Sequence, residues 1–549
     1  MMRKFCFAAL AMAVILPAAA QDTYESARLL GSDLNGTARY VGMGGAMDAL
    51  GADISTISTN PAGIGLFRHS QASISLGFVS QQDAEKFDNK SKTTISFDQA
   101  GFVYSSRLGR SSFINFAFNY HKSKNFNQIL NAANSLRGCS QNGLTYSKAY
   151  NGVYDLDVNN QDVAIGYSFE RPDDRSMAFS EADFMNANVL NCDVEQHLRD
   201  PKADWIYYND ANAYTFDRAH RGWINNFDFN VSGNSNDRFY WGVTVGVKSV
   251  NYRGYSEYAE TLLWHPKADD PNYEEVCGSV AIGDERRIKG TGLDVTAGVI
   301  FRPVAESPFR IGLSISTPTW YDLTSSNDSY MIKVVDENKK VRGTYPSMES
   351  HHDYDFKFYT PWKFGLSLGH TIGSQVALGF GYEYSDYSNS SNRVNKGDSY
   401  WYDDYGYSPS YTDDAMNANT DKSLKGVHTI RVGAEIKPVS EFAIRLGYNY
   451  VSSPYEENGV RDMTLESPGV SYSSTTDYVN WKDTHRITCG LGYKVGGVNM
   501  DLAYQYNMTK GDFHPFQQYI SYSSIGMNTG VKEVKFNRHQ LLLTLGYTF

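Results

Sequence analysis

The chain closes on Gln540-Leu-Leu-Leu-Thr-Leu-Gly-Tyr-Thr-Phe549. Successive side chains of a strand point to opposite faces, so Leu541, Leu543, Leu545, Tyr547 and Phe549 share one side. Gln540, Thr544, Gly546 and Thr548 share the other, with Leu542 the exception. A strand that is apolar on one side, small or polar on the other, and ends in an aromatic residue suits a wall between lipid and a lumen. A soluble sandwich can end in the same way, so the decision passes to the rest of the chain.

Outward from the tail the pattern repeats as hairpins. Trp362–Gly369 and Gln375–Tyr384 flank a four-residue turn, and Arg486–Lys494 and Val498–Tyr506 flank Val495-Gly-Gly497. Thr429–Ile436 and Phe442–Tyr450 form a third pair. There Phe442, Ile444, Leu446, Tyr448 and Tyr450 alternate with Ala443, Arg445, Gly447 and Asn449. Long polar loops separate the hairpins. Short turns on one side and long loops on the other are the arrangement of an outer-membrane barrel, and long loops are uncommon within compact domains. Candidate strands fall near 70–80, 93–108, 111–121, 223–233, 237–250, 290–302 and 309–317. The remaining ones fall near 362–371, 375–384, 427–437, 441–451, 485–495, 498–507 and 536–549. The expectation is an all-β, 14-stranded antiparallel transmembrane β-barrel over 70–549, with both barrel ends periplasmic. Val163–Phe169 also alternates, and the even count places it within a large extracellular loop, 122–222.

Arg3 and Lys4, the apolar run Phe5–Leu16 and the small residues Ala18 and Ala20 read as a signal peptide over 1–20, cleaved before Gln21. Nothing after residue 20 offers eighteen consecutive apolar residues, which excludes a helical membrane protein. Forty Tyr, 29 Phe and 47 Gly beside a mean hydropathy of −0.45 suit a barrel, whose alternating strands dilute hydropathy. Loss of Arg3 and Lys4 takes the formal net charge from −11 to −13, which argues against a nucleic-acid partner.

Residues 21–69 form no convincing strand. Small and short aliphatic side chains dominate, with Gly at 36, 42, 44, 45, 51, 63 and 65. Such a segment packs closely against other backbone, as a plug in a lumen must. The bland alternative is a periplasmic linker, but Ala46–Ile57 is too apolar for a solvated one.

The run Arg39-Tyr-Val-Gly-Met-Gly-Gly-Ala, then Ala52-Asp-Ile-Ser-Thr and Asn60-Pro-Ala-Gly63, resembles the N-terminal hatch of the FadL/TodX outer-membrane transporters of long-chain fatty acids and aromatic hydrocarbons. Thr360-Pro-Trp-Lys-Phe-Gly, Ile430-Arg-Val-Gly-Ala-Glu-Ile, Arg445-Leu-Gly-Tyr and Ile487-Thr-Cys-Gly-Leu-Gly-Tyr resemble the family as well. The resemblance implies passive uptake of a hydrophobic small molecule through a hatch-plugged barrel. It also implies insertion by the barrel-assembly machinery and contact with outer-membrane lipid and lipopolysaccharide. In the family the ligand leaves sideways beside a kinked third strand. Here that strand, Phe113–Tyr120, holds no Gly or Pro.

Asn60, Pro61, Ala62 and Gly63 are the hatch and gating candidates. Pro61 fixes φ, Asn60 bonds nearby backbone and Gly63 permits a tight turn; a purely structural turn is the competing reading. Arg431, Glu435 and Arg445 are expected to face the lumen, with Lys363, Glu383, Asp294 and Arg302 in the same class. An arginine there holds either a substrate carboxylate or a plug, and a ladder of paired charges is the favoured reading because a buried charge demands a partner. Within 122–222, Asn127–Leu136 and Met177–Leu198 are candidate helices, and Cys139 and Cys192 a candidate disulfide. Cys489 is expected to face lipid.

No enzyme signature, metal-ligand spacing or cofactor motif is present. His351-His352 keeps a haemin receptor, or a porin-like channel, as one alternative, and a surface adhesin acting through its loops as another. The acidic runs 269–275 and 403–404 are cation-site candidates, with solvated loops the simpler reading.

Overall fold

The computed structural model describes residues 21–82, 84–88, 91–136, 139–141, 153–154, 168–170, 176–177, 180, 182–183, 210–264, 275–336, 349–395, 410–517 and 530–549. Fourteen antiparallel staves close into a barrel. The first seven are β1 Gln71–Gln81, β2 Thr93–Arg107, β3 Phe113–Asn125, β4 Asp210–Ser235, β5 Phe239–Trp264, β6 Glu275–Phe301 and β7 Arg310–Ser316. The rest are β8 Lys363–Ile372, β9 Val376–Asp386, β10 Gly426–Val439, β11 Phe442–Val451, β12 Tyr478–Val495, β13 Val498–His514 and β14 Lys532–Thr548. Each pairs with the next, and β14 returns to β1 in register from Gln71↔Thr548 to Gln81↔Arg538.

Each of the fourteen sequence segments falls on one stave. The staves run further at the long-loop end than the pattern suggested, because above the apolar band the outer face turns polar and apolar side chains such as Tyr214, Phe216, Phe356 and Phe358 point inward, reversing the pattern of a lipid-facing wall. Several continue there as separate pieces: β3 as Gln128–Ser135, β7 as Trp320–Asp336, β8 as Glu349–Tyr359 and β9 as Ser391–Asn395. The breaks in β7 and β8 fall at Pro318 and Pro361, which lack the N–H a ladder requires. In β3 the break comes at Phe126-Asn127.

One expectation is overturned directly. Asn127–Leu136 is not helical: Gln128–Ser135 is a strand paired with β4 from Gln128↔His220 to Ser135↔Ala213. A pairing edge on β4 satisfies this backbone better than an isolated short helix could. The stretch from 122 therefore starts as wall rather than loop. Residues 1–20, Cys192, the side chain of Cys277, acidic runs 269–274 and 403–404, and most of Val163–Phe169 and Met177–Leu198 lie outside the described residues. Cys139 is buried and Cys489 exposed.

The outer surface carries one apolar band. On β14 Leu541, Leu543, Leu545, Tyr547 and Phe549 are exposed, and on β13 Val498, Met500, Leu502 and Tyr504. Leu542, the exception in the tail, is fully buried against Ala38, Val41 and Ala503. Eight residues of tilted strand make the band roughly 20 Å tall, close to the height of a hydrocarbon-facing wall. Among the described residues no helix is long and apolar enough to cross a membrane.

Candidate functional site

The N-terminal segment runs through the inside of the barrel as short capped pieces. Helix α1 spans Thr23–Ala27 with Asp22 as its cap, and α2 spans Ala38–Gly42 behind Thr37. Tight 3₁₀ turns follow at Ile54–Ser58 and Pro61–Leu66, capped by Asp53 and Asn60. These side chains accept the first free N–H groups of each piece, which is how so glycine-rich a segment holds a defined path.

Inward-facing glycines on the staves make room for it. A Cβ at Gly433 would fall on the Met43 carbonyl, one at Gly379 on the Ala46 carbonyl, and one at Gly242 on the Pro61 carbonyl. Asn60 sits between β6 and β7: Cβ atoms at Gly298 and Gly312 would strike its amide. Its Oδ1 accepts the Ala62 N–H at 3.2 Å, while its Nδ2 is buried with no hydrogen-bond partner among the described residues. Pro61, Ala62 and Gly63 are buried beside it, and the Gly63 carbonyl accepts the Ala52 N–H at 3.0 Å.

Arg431, Glu435 and Arg445 are all buried on the inward face and belong to one charge ladder. Glu435 takes Arg39 at 3.0 Å and Arg445 at 2.7 Å; Arg445 reaches on to Asp501 at 2.6 Å. Arg431 joins Glu383 at 2.7 Å to Asp48 at 3.3 Å. Two rungs thus tie wall to segment, through Arg39, which opens the run quoted for the hatch resemblance, and Asp48, which carried no sequence signal beyond its charge. A polar cavity of about 240 Å³ lies at the short-turn end of this ladder, reaching Ser440, Glu441 and Lys494. Of the other charges, Asp294 pairs with Lys248 at 2.5 Å, while Arg302 donates to the Ser307 carbonyl of a turn at 2.7 Å.

Toward the long loops, lined in part by the segment's own residues Tyr24 to Asp33, lies a cavity of about 260 Å³ that sequence reading did not identify. Its walls are aromatic and aliphatic: Phe126, Tyr387, Tyr455, Tyr478, Trp481 and Phe536, with Leu30, Val427 and Val451. Arg28, Lys124, Arg218, Lys482, Arg486 and Arg538 also line it, against Asp33, which holds Arg538 at 3.1 Å. Tyr24 stacks on Tyr455 with ring centroids 5.2 Å apart. Burial, then Tyr455 and Tyr478, push the Tyr24 hydroxyl well above its ordinary pKa, so it stays a neutral donor to Asn480 at 2.8 Å. Arg461, almost fully buried, clamps α1 through Asp22 at 2.7 Å and Glu25 at 3.5 Å, and Arg286 also pairs with Glu25.

A second, polar chamber of about 70 Å³ shares Leu30, Gly31, Ser32 and Tyr387 with the first. Gly31 has φ +69°, and a Cβ there would lie 2.7 Å from the Tyr387 hydroxyl, so only glycine fits this narrowing. His351, the haem candidate, is exposed and bonded to Asp328 at 2.6 Å, while His352 packs edge-on against Tyr472. Among the described residues no three His, Cys, Asp or Glu side chains gather as metal ligands would.

No protein-family model and no curated protein matches the chain. Among solved structures it is similar to a FadL homologue from Pseudomonas aeruginosa, at 11% identity and a TM-score of 0.49, over 94% of this chain and 99% of that one. It is also similar to the toluene transporter TbuX of Ralstonia pickettii, at 12% identity and a TM-score of 0.45, with coverage of 94% and 99%. The toluene transporter TodX of Pseudomonas putida matches at 9% identity and a TM-score of 0.45, again over 94% and 99%.

Proposed function

We propose that this protein is an outer-membrane barrel for passive uptake of hydrophobic small molecules, long-chain fatty acids or similar lipids, with residues 21–69 as a hatch. The observation that carries the reading is the aromatic-walled cavity between the first residues of the hatch and the upper wall, with cationic side chains around it. An open aqueous pore gives a hydrocarbon chain no favourable path, whereas apolar and aromatic walls remove it from water. Arg486 and Arg538 then suit an acidic head better than a neutral hydrocarbon, since a carboxylate can accept from a guanidinium.

On this reading the short turns and both barrel ends face the periplasm and the long loops face outward. The ligand enters beneath the roof formed by α1, rests in the upper cavity and moves on when the hatch shifts. Asn60-Pro-Ala-Gly63 is the turn whose rearrangement opens the way. Arg431, Glu435 and Arg445 act on the hatch rather than on the ligand, because their bonds go to Asp48, Arg39 and neighbouring acids.

The test is to strip small molecules from the barrel, purified from its native membrane in mild detergent, and identify them by mass spectrometry and visible absorption. A fatty acid enriched over a control barrel, and lost when Arg486 and Arg538 are both changed to Met, supports the reading. A haem absorption band would replace it with a haemin receptor.

A further inference from the structure

The upper edge of the apolar band carries one unit three times. Tyr382-Glu-Tyr384 of β9 faces His428 of β10, Tyr448-Asn-Tyr450 of β11 faces His485 of β12, and Tyr504-Gln-Tyr506 of β13 faces His539 of β14. The registers coincide: Tyr384↔His428, Tyr450↔His485 and Tyr506↔His539 lie directly opposite one another. In each unit the first tyrosine's hydroxyl bonds the histidine Nδ1, at 2.8, 2.8 and 2.7 Å. One row below, the residue opposite that tyrosine is Ile430, Ile487 or Leu541. Packing alone would be met by any aromatic residue. A hydroxyl spent on Nδ1 does something else: with the tyrosine donating, Nε2 carries the ring hydrogen and offers a donor.

On β14 a lysine stands above the histidine on the same face: Lys535, four residues before His539; Lys425 lies just before β10 begins, and Lys482 lines the upper cavity. Two of these meet acids, Lys425 with Glu456 at 3.9 Å and Lys482 with Asp512 at 2.9 Å. The third unit differs. Lys535 lies directly opposite Lys510, a like-charge cross-strand pair, and Lys510 leans to Glu533 at 3.3 Å. Asp483 is engaged by the Tyr450 hydroxyl at 2.8 Å. Opposed lysines repel unless an anion lies between them. From His539 to Lys535 is roughly 13 Å along the strand, a span suited to a sugar headgroup with a phosphate toward each end.

We infer that the outer face of β13–β14, at Lys510, Lys535 and His539, binds the phosphorylated headgroup of an outer-leaflet glycolipid. A phosphate oxygen accepts from lysines, and from His539 Nε2 when the Tyr504 hydroxyl donates to Nδ1. The acyl chains of such a lipid lie along Leu541, Leu543 and Leu545, which are exposed directly below. The site is on the lipid side of the wall, so it stands or falls separately from uptake through the lumen.

The experiment is native mass spectrometry of the delipidated full-length barrel with bisphosphorylated lipid A, with the same lipid after phosphate removal, and with inorganic phosphate in large excess. Bisphosphorylated lipid is expected to bind, and the Lys510→Ala/Lys535→Ala variant to bind about thirtyfold less, at about 1 kcal/mol per lysine. His539→Phe, which keeps a ring against Tyr506, is expected to bind about tenfold less, as for a lost charge-assisted hydrogen bond. Heat-modifiable gel mobility confirms that each variant is a folded barrel. Equal binding of the dephosphorylated lipid, or unchanged binding by the folded variants, would each overturn the assignment, whereas competition by inorganic phosphate is expected of a site that reads phosphate.

Discussion

Replacing Glu435 by Gln tests whether the charge ladder holds the hatch. Glu435 is nearly inaccessible and accepts from Arg39 at 3.0 and 3.2 Å and from Arg445 at 2.7 Å. Loss of its charge leaves Arg445 with Asp501, but Arg39 with the Ala52 carbonyl at 3.1 Å, a neutral amide oxygen in place of a carboxylate, and the more distant charges of Asp53 and Asp501. Breaking a buried pair on one side costs about 3–5 kcal/mol. Arg39 keeps 27% of its side chain exposed beside the lower cavity, where water screens it, so about 2–3 kcal/mol is the fitting range here. That loss falls on the docking of α2, since the ladder of β10 to β11 and β9 is untouched. The population with the hatch undocked should therefore rise roughly 30- to 160-fold. The assay is hydrogen exchange of the barrel in detergent, comparing amides of 38–66 with those of β10–β14. Faster exchange in 38–66 alone is expected, with more frequent openings in single-channel conductance. Unchanged protection of 38–66 in a correctly folded variant would refute the argument, and so would equal acceleration of the wall. Lys437→Ala, which removes only a half-exposed contact at 3.5 Å, should leave both unchanged.

Asn60→Ala with Pro61→Ala removes a cap worth about 1 kcal/mol and a fixed φ; uptake should change about fivefold while the barrel still inserts, and unchanged uptake would remove the turn from the mechanism. Gly379→Val drives side-chain atoms into the Ala46 carbonyl, so limited proteolysis should cut within 21–69 while heat-modifiable mobility is kept. Arg461→Met leaves Asp22 and Glu25 short of a partner; α1 should lose exchange protection and ligand retention fall, and a normal off-rate with α1 released would show that α1 is not the roof.

The wall was legible because its information is local. Period-two alternation states which side chains face outward, and the burial alternates residue by residue from Leu541 to Tyr547. It failed where its cause ended: beyond the apolar band the outer face of β4, β5 and β6 turns polar while apolar residues such as Phe216, Tyr252 and Ile288 face inward, and Gln128–Ser135 reads as a helix. Leu542 broke the pattern for a reason the tail could not contain, the approach of Ala38 and Val41 from the other end of the chain. The charged residues were placed on the inward face by alternation alone, but their meaning was not. Arg39 and Glu435 are 396 residues apart, and only barrel closure brings them together.

The upper cavity shows the same division more sharply. Tyr24, Phe126, Tyr387, Tyr455, Tyr478 and Phe536 come from separate segments, and no spacing among them marks a pocket. Sequence by itself determined a fourteen-stave wall, its outward face and a close-packing segment ahead of it, because each follows from neighbours along the chain. Tertiary structure alone decided where that segment runs, which charges hold it and where a ligand would rest. Those depend on contacts between residues hundreds of positions apart, which exist only once β14 has paired with β1.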